Sequence, residues 1–289
     1  MRTLLLGATG YIGSAVLEHL MARGHSVVAL ARSDGVARRL ANKGIRPLPG
    51  DLRNPAGWVL AVHEVDAVIQ LAATFSDDMG QVDRRAMEAI AAEAASAGRP
   101  IRVIYTGGCW LYGATGDAVA SEESAFDPID AFAWMVQNGS ALMGAPGVEG
   151  VVIHPAMVYD RDGGAVARFI ADARTGGPIE VFGALNTRWP MVHREDLATA
   201  YGLALEKGVA GQSYNVATEP GVRVGDIVDV VARRFGVTAA PRVRSVPELV
   251  ADFGDWAAGP ALDQQMSGRK IADELGWRPL KTQALAELA

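Results

Sequence analysis

The chain has 289 residues, of which 49% are hydrophobic, and its 27 Lys and Arg against 33 Asp and Glu give a formal net charge of −6. Its 33 Gly and 14 Pro together stay well below the roughly 25–30% that marks disordered chains. This composition predicts a globular protein with room for two domains. The negative charge and the lack of a Lys/Arg run argue against nucleic acid or a membrane as a partner.

The sequence also argues against disulfides, metal sites and membrane elements. Cys109 is the only cysteine and the five His are scattered, so we predict no metal site and expect a reducing cytoplasm. Two long uncharged stretches, residues 3–17 and 131–148, contain glycines or polar residues. We therefore expect neither a signal peptide nor a bilayer span.

Short apolar runs alternate with helical periods in the first half of the chain, which is typical of βαβ units and a parallel sheet. The predicted strands cover residues 3–6, 26–30, 67–71, 102–105 and 151–153. After the first strand, Ile12, Val16 and Leu20 recur at every fourth position. This spacing predicts a helix over 11–23 that Gly24 ends. An alanine-rich helix is predicted from about 78 to 97.

The second half is less regular. In residues 156–190, glycines and prolines divide the chain into short pieces. The pattern then predicts a helix over 195–207 and a strand over 213–216. Helices with loops are predicted from residue 225 onward. The pattern predicts an α/β protein in which a doubly wound, Rossmann-type parallel sheet precedes a smaller domain.

A glycine-rich segment, Gly7-Ala-Thr-Gly10-Tyr-Ile-Gly13, lies between the first predicted strand and the first predicted helix. At such a junction, helix N–H groups and the positive end of the helix dipole face an anion. The glycines allow a tight turn, close approach of a pyrophosphate and close packing of helix on strand. We predict a dinucleotide site at Gly7, Thr9, Gly10, Tyr11, Ile12 and Gly13.

The end of the second strand bears on the choice of dinucleotide. It reads Ala31-Arg32-Ser33, without the acid that would bind the ribose 2′-hydroxyl of NAD. Arg32 can bind a 2′-phosphate through two hydrogen bonds, and Ser33 can add a hydroxyl. NADP is therefore predicted over NAD, with the alternative that Arg32 is a solvated surface charge.

At these residues the chain resembles the extended short-chain dehydrogenase/reductases, the NAD-dependent epimerase/dehydratase family. Further matches, in chain order, are Gly50-Asp51-Leu52, Leu71-Ala72-Ala73, Leu111-Tyr112-Gly113, 155–159, 192–198 and Leu275-Gly276-Trp277-Arg278-Pro279. The resemblance implies that Asp51 and Leu52 contact adenine. It also implies that Ala72 and Ala73 leave room for the ribose and phosphates, and Leu71 before them is counted among the coenzyme-binding residues. We predict that the nicotinamide lies near Thr106, Pro155 and Tyr159.

The resemblance further implies a domain division and an assembly. The dinucleotide-binding domain would comprise residues 1–155 and about 190–218. Residues of about 156–189 and 219–289 would form a C-terminal substrate-binding cap. A homodimer is a possible assembly at the level of the family.

The family's catalytic pattern is not met. Redox members carry a Tyr and a Lys four residues apart, where the Lys lowers the pKa of the Tyr, plus a Ser or Thr after the fifth strand. Here Trp134 and Asn138 take the paired positions and Gly108 takes that of the hydroxyl residue. No Lys occurs between Lys43 and Lys207, so we predict a protein without the usual proton relay.

Three interpretations of the missing proton relay stay open. Tyr112 or Tyr159 could serve as a substitute acid, as could His154 or His193. Alternatively, an iminium substrate needs no acid, and an aromatic cleft would suit its charge. The third reading is no catalysis at all. The predicted substrate residues are Phe75, Trp110, Trp134, Met157, Trp189 and His193, and Asn138 is predicted to bond the ribose or the substrate.

These expectations lead to one predicted function and two alternatives. The predicted function is an NADP-dependent oxidoreductase for a small carbonyl or imine compound, in which the nicotinamide carries the hydride chemistry. The first alternative is an inactive NADP-binding sensor. The second is a sugar-nucleotide epimerase or dehydratase, against which the missing Tyr argues.

Overall fold

A computed structural model describes residues 1–289. Its strands are β1 (Arg2–Leu6), β2 (Ser26–Ala31), β3 (Arg46–Pro49), β4 (Ala67–Gln70), β5 (Ile101–Thr106), β6 (Val148–Pro155), β7 (Met157–Asp160), β8 (Gly163–Gly164), β9 (Glu180–Phe182), β10 (Arg188–His193), β11 (Gln212–Val216), β12 (Glu219–Arg223) and β13 (Arg242–Arg244). Its α-helices are α1 (Tyr11–Ala22), α2 (Asp34–Asn42), α3 (Met79–Ser96), α4 (Ala133–Met143), α5 (Ala167–Thr175), α6 (Arg194–Lys207), α7 (Val224–Phe235), α8 (Val246–Phe253), α9 (Arg269–Leu275) and α10 (Ala284–Leu288). Short 3₁₀ helices cover Pro55–Gly57, Val59–Glu64, Cys109–Tyr112, Asp130–Phe132 and Asp255–Ala261.

The largest sheet has seven strands in the order β11-β6-β5-β4-β1-β2-β3. β1 pairs in parallel with β2 and β4, and the β2–β3, β4–β5 and β5–β6 pairs are parallel too. The chain thus runs outward from β1 through β2 and β3, then returns to β4 on the other side of β1. Ligands bind at the carboxyl ends of strands beside such a reversal. The predicted doubly wound α/β fold is confirmed.

Apolar burial holds α3 on this sheet. Leu4, Leu6 and Val68 of the central strands belong to one buried cluster. The buried apolar residues of α3 recur at helical spacing and join the same cluster, namely Val82, Ala86, Met87, Ile90 and Ala94. Burying a large aliphatic side chain contributes roughly 1.5–3 kcal/mol, so this stripe fixes which face of the helix meets the strands.

The remaining strands form two small sheets. One has the order β12-β10-β7-β8, and the other pairs β13 with β9. In the first, β7 runs parallel to β10. The sequence divides the segment 156–190 only into short pieces. In the structure this segment holds β7, β8, α5, β9 and the first residues of β10. Strands this short do not present enough residues for the alternation that makes a strand recognisable.

The chain divides into two compact units, and each is described by itself below. The first unit comprises Met1–Gly107, Trp134–Ile153 and Ala198–Ser213. The second comprises Gly108–Ala133, His154–Leu197 and Tyr214–Ala289. The domain limits implied by the family resemblance remain a prediction. None of the helices has the length and apolar character needed to cross a membrane.

Candidate functional site

The glycine loop connects β1 to α1 in the first unit, and two of its glycines allow close backbone contacts. Gly7 has a φ of +86°, and a Cβ added there would lie 2.7 Å from the carbonyl carbon of Leu71. A Cβ on Gly13 would overlap the carbonyl oxygen of Gly7. Only glycine accommodates both the left-handed φ and these approaches. The loop is thus held against the end of β4 at one side and against α1 at the other.

The outer part of the same loop is open. Thr9 and Gly10 are exposed, and Gly10 caps α1 without a side-chain hydrogen bond. The first-turn N–H groups of a helix have no partner within the helix, and together with the helix dipole they favour an anion. This cradle, which side chains larger than glycine would fill, fits the diphosphate of a dinucleotide.

Arg32 and Ser33 follow β2 at the carboxyl edge of the sheet, and both are exposed. Ser33 caps α2, where its hydroxyl accepts a hydrogen bond from the Val36 N–H at 3.4 Å. The hydroxyl hydrogen of Ser33 is left to donate to a ligand. Because Ala31 pairs with Pro49, the Arg32–Ser33 and Gly50–Asp51 segments leave the sheet side by side.

Asp51 shapes the turn after β3. One carboxylate oxygen accepts from the Arg53 N–H at 2.8 Å, and its carbonyl oxygen accepts from the Trp58 indole at 2.8 Å. Leu52 is buried and belongs to the apolar cluster of the first unit. The structure brings this turn next to the end of β2, while its contact with adenine stays a prediction.

The segment after β4 passes directly beneath the glycine loop. Leu71 donates its N–H to the Leu6 carbonyl at 3.0 Å, and Leu71 and Ala72 are half-buried while Ala73 is exposed. Four residues beyond Leu71, Phe75 is 88% exposed and is the one non-glycine residue with a positive φ, +51°. A strained, exposed aromatic residue beside a predicted ligand site is consistent with its predicted substrate role.

Thr106 ends β5 and belongs to a chain of hydroxyl groups. Its Oγ1 donates to the Gln70 carbonyl at 2.6 Å and lies 2.7 Å from the Tyr201 hydroxyl. Since Thr106 has one hydroxyl hydrogen, Tyr201 is then the donor in the second bond. One acceptor position on Thr106 remains for a ligand, which fits its predicted place near the nicotinamide.

The helix α4 carries neither a Tyr nor a Lys. Trp134 lies over Gly80 of α3, where an added Cβ would be 2.6 Å from the indole Cγ. The Asn138 amide donates to Asp83 at 2.8 Å and to the Gly80 carbonyl at 3.3 Å. Both side chains thus contact α3, and Asn138 would have to exchange these bonds to reach a ribose or a substrate.

In the second unit, Tyr112 is buried and its hydroxyl donates to Asn215 Oδ1 at 2.8 Å. Burial raises the pKa of Tyr112 above its ordinary value. His154 packs against this ring, with centroids 5.9 Å apart, and its Nδ1 has no hydrogen-bond partner. Burial lowers the pKa of His154 to about 4, so neither group exchanges protons readily near neutral pH.

Tyr159 and His193 lie opposite each other on β7 and β10, with ring centroids 5.4 Å apart. The Tyr159 hydroxyl is buried without a hydrogen-bond partner, and burial raises the pKa of this phenol. Met157 begins the same strand as Tyr159 and is buried, as is Pro155, which ends β6 two residues earlier. The structure therefore brings Met157, Tyr159 and His193 together on one small sheet.

Two predicted substrate residues flank the 3₁₀ helix Asp255–Ala261. A Cβ added to Gly259 would lie 2.5 Å from the Trp110 ring. The Trp189 indole donates to the Pro260 carbonyl at 2.8 Å and its ring stacks on Phe169. Phe75 and Trp134 belong to the first unit. A single cleft formed by all four predicted rings remains a prediction.

Comparison with known proteins identifies the family. A sequence profile described as the NAD dependent epimerase/dehydratase family matches residues 3–217. The chain belongs to this family. An uncharacterized protein of Saccharomyces cerevisiae, YLL056C, is 30% identical over all of this chain and 98% of its own length. The human epimerase family protein SDR39U1 is 30% identical over 71% of each chain.

Solved structures show the same fold. The crystal structure of human SDR39U1 with NADPH superimposes with a TM-score of 0.78, at 22% identity, and covers 100% of this chain and 98% of that one. The Thermotoga maritima UDP-glucose 4-epimerase, with UDP-glucose, gives a TM-score of 0.83 at 18% identity and covers 100% and 96%. These structures show the fold, and the profile match over residues 3–217 confirms the resemblance to the NAD-dependent epimerase/dehydratase family.

A buried polar cluster in this epimerase/dehydratase fold is not predicted from the sequence. Asp83 on α3 accepts hydrogen bonds from Gln70, Tyr105 and Asn138. The signal was present, because Asp83 falls on the buried stripe that includes Ala86, one helical turn later. Gln70 likewise ends an otherwise apolar strand. No group of three or more His, Cys, Asp or Glu in residues 1–289 could hold a metal ion.

Proposed function

We propose that this family member is an NADP-dependent oxidoreductase acting on a small carbonyl or imine compound. The observation that carries the proposal is the pair Arg32 and Ser33, exposed at the carboxyl end of β2, next to the open glycine cradle. No carboxylate takes the first position after β2, where it would repel a 2′-phosphate. The NADPH in the human SDR39U1 crystal structure supports the same choice of coenzyme.

The chain's own residues would bind and orient the coenzyme. Backbone N–H groups of the glycine loop would hold the diphosphate, Arg32 would hold the 2′-phosphate, and Thr106 would offer an acceptor near the nicotinamide. A bound nicotinamide coenzyme donates or accepts the hydride. The protein's remaining task is to present the substrate and, where the reaction needs it, a proton.

The candidate acids favour a substrate that needs no proton from a phenol. Tyr112 and Tyr159 are buried and burial raises both pKa values, while α4 carries neither Tyr nor Lys. A compound that already bears a positive charge, such as an iminium ion, accepts a hydride without a general acid. Aromatic rings such as Trp110 would stabilise such a cation.

A fluorescence titration with NADPH and NADH tests the coenzyme proposal. We expect binding of both, with tighter binding of NADPH. Arg32→Asp should weaken the binding of NADPH by about 10–100-fold, as expected for loss of a charge-assisted pair. The affinity for NADH should stay within about threefold of the wild-type value. An unchanged preference for NADPH in this variant would exclude the proposed role of Arg32, and a flat titration would exclude the coenzyme.

A second assay tests the substrate class. Purified protein with NADPH is offered a ketone, an aldehyde and a cyclic iminium compound, and oxidation of NADPH is followed by absorbance. We expect turnover of the iminium compound, unaffected by Tyr112→Phe or Tyr159→Phe. If the ketone or the aldehyde is reduced as well, loss of that turnover in either variant would identify that phenol as the acid.

The second candidate function is a coenzyme sensor without catalysis. It is favoured by the same burial of Tyr112 and Tyr159, because a chain with an intact cradle and without an accessible phenol can bind a dinucleotide and transfer no proton. NADPH binding with no turnover of any of the three compounds would support this sensor.

A further inference from the structure

We propose that Gln70 and Asp83 are positioning residues that hold the floor of the dinucleotide cradle, so that coenzyme affinity depends on the hydrogen bonds between Gln70 and Ala72. The inference rests on the proposed function, because it assumes that a dinucleotide occupies the glycine loop. It adds two buried residues that do not themselves touch the ligand.

Gln70 holds the backbone of Ala72 at both polar atoms. Its Oε1 accepts from the Ala72 N–H at 3.1 Å, and its Nε2 donates to the Ala72 carbonyl at 3.1 Å. The same Nε2 donates to Asp83 Oδ1 at 2.8 Å. Gln70 is itself buried. The side chain thus fixes the segment that follows β4 at the carboxyl edge of the sheet.

That segment is the surface on which the glycine loop rests. A Cβ on Gly7 would lie 2.7 Å from the Leu71 carbonyl and 2.8 Å from the Ala72 nitrogen. Because no side chain separates Gly7 from the Leu71–Ala72 peptide, a shift of this peptide is transmitted to the turn that binds the diphosphate. The Gln70 amide therefore does not contact the coenzyme itself, but it bonds the backbone of Ala72, which is a predicted coenzyme contact.

Asp83 determines which way the Gln70 amide faces. Burial raises the pKa of Asp83, and the hydrogen bonds from Gln70, Asn138 and Tyr105 oppose this rise. Because Oδ1 of Asp83 accepts from Nε2 of Gln70, Oε1 is left for the Ala72 N–H. Asp83 is only 5% exposed, and a buried carboxylate requires several donors. The Tyr105 hydroxyl and the Asn138 amide supply them at Oδ2, each at 2.8 Å.

The two oxygens of Asp83 thus serve separate branches, which provides a matched control. Gln70→Met removes the branch to Ala72 with little change in volume. Tyr105→Phe removes one donor to the same buried carboxylate and leaves the bonds between Gln70 and Ala72 in place. Both variants lose hydrogen bonding to Asp83, and only the first loses the support of the cradle.

The test measures the Kd for NADPH by fluorescence and the melting temperature without ligand, on the full chain. We expect Gln70→Met to raise the Kd at least tenfold. Both variants should lower the melting temperature by similar amounts, because each removes a hydrogen bond to Asp83. Tyr105→Phe should nevertheless keep the Kd for NADPH within about twofold of the wild-type value. Equal Kd values for Gln70→Met and the wild type, or equal losses of affinity in both variants, would overturn the inference.

A pH series with Gln70→Glu gives a second readout, which holds even if Gln70→Met does not fold. When the introduced carboxyl group is protonated, it can donate to Asp83 as the amide does, whereas two ionised carboxylates repel each other. The ratio of variant to wild-type Kd should therefore rise at least fivefold between pH 5 and pH 8. A constant ratio overturns the inference. Absence of NADPH binding by the wild type overturns the proposed function instead.

Discussion

The glycine loop and the residues predicted to handle protons differ in what they offer a ligand. At the loop, Thr9 and Gly10 are exposed, and the backbone of Gly7 packs closely on the Leu71–Ala72 peptide. Among the candidate proton donors, Tyr112, Tyr159 and His154 are buried. The difference teaches that the loop predicted to bind a coenzyme is open to a ligand, whereas these candidate proton donors are shielded from one.

The largest expected effect breaks the loop itself. Gly13→Ala places a methyl group on the Gly7 carbonyl oxygen, so the turn must shift, and we expect NADPH affinity to fall more than 100-fold. The matched control is Gly144→Ala, whose Cβ would lie 3.7 Å from the nearest atom and should leave affinity unchanged. Titration by fluorescence decides, with circular dichroism to verify the fold. Retained affinity in Gly13→Ala would contradict the placement of the diphosphate.

A smaller effect is expected on α4 and concerns stability. Asn138→Leu removes a donor from buried Asp83, which should cost about 1–3 kcal/mol of unfolding free energy in urea. The Kd for NADPH should stay within about threefold, because the Gln70 branch is intact. A large loss of affinity without loss of stability would show instead that Asn138 bonds the ribose of the coenzyme, which is one of the two partners that the sequence predicts for it.

The third prediction sharpens the contrast through pH. The folded-state pKa of His154 is lowered to about 4 from 6.5, so the unfolded chain binds this proton first as pH falls. The folding stability from this group is present above pH 6.5 and is lost in acid, by about 2 kcal/mol between pH 7.5 and pH 5. His154→Phe should lose less stability than the wild type over this range in urea unfolding. Parallel losses would mean that His154 is accessible to protons when folded.

Much of the first unit follows from local sequence patterns. The run before Gly7 and the spacing of Ile12, Val16 and Leu20 predict β1 and α1 to within a residue. Gly24, with a φ of +79°, follows α1 as predicted. These features depend on neighbouring residues, and local hydrogen bonding and helical periodicity make them visible in the sequence.

The second unit is harder to predict because its elements are short. β8 has two residues and β9 has three, and such strands are defined by their partners. Tyr159 and His193 are distant in the sequence and come together through the pairing of β7 with β10. Their burial depends on that pairing, which no spacing in either segment indicates.

The sequence by itself determined the parallel fold, the glycine turn and the residue types that follow each strand, because each reflects a local backbone requirement. Only the tertiary structure decided that Asp83 receives three hydrogen bonds and that Gln70 supports Ala72. It also decided that the candidate acids are buried. A side chain's solvation and partners depend on residues distant in the sequence, and these in turn set its chemistry.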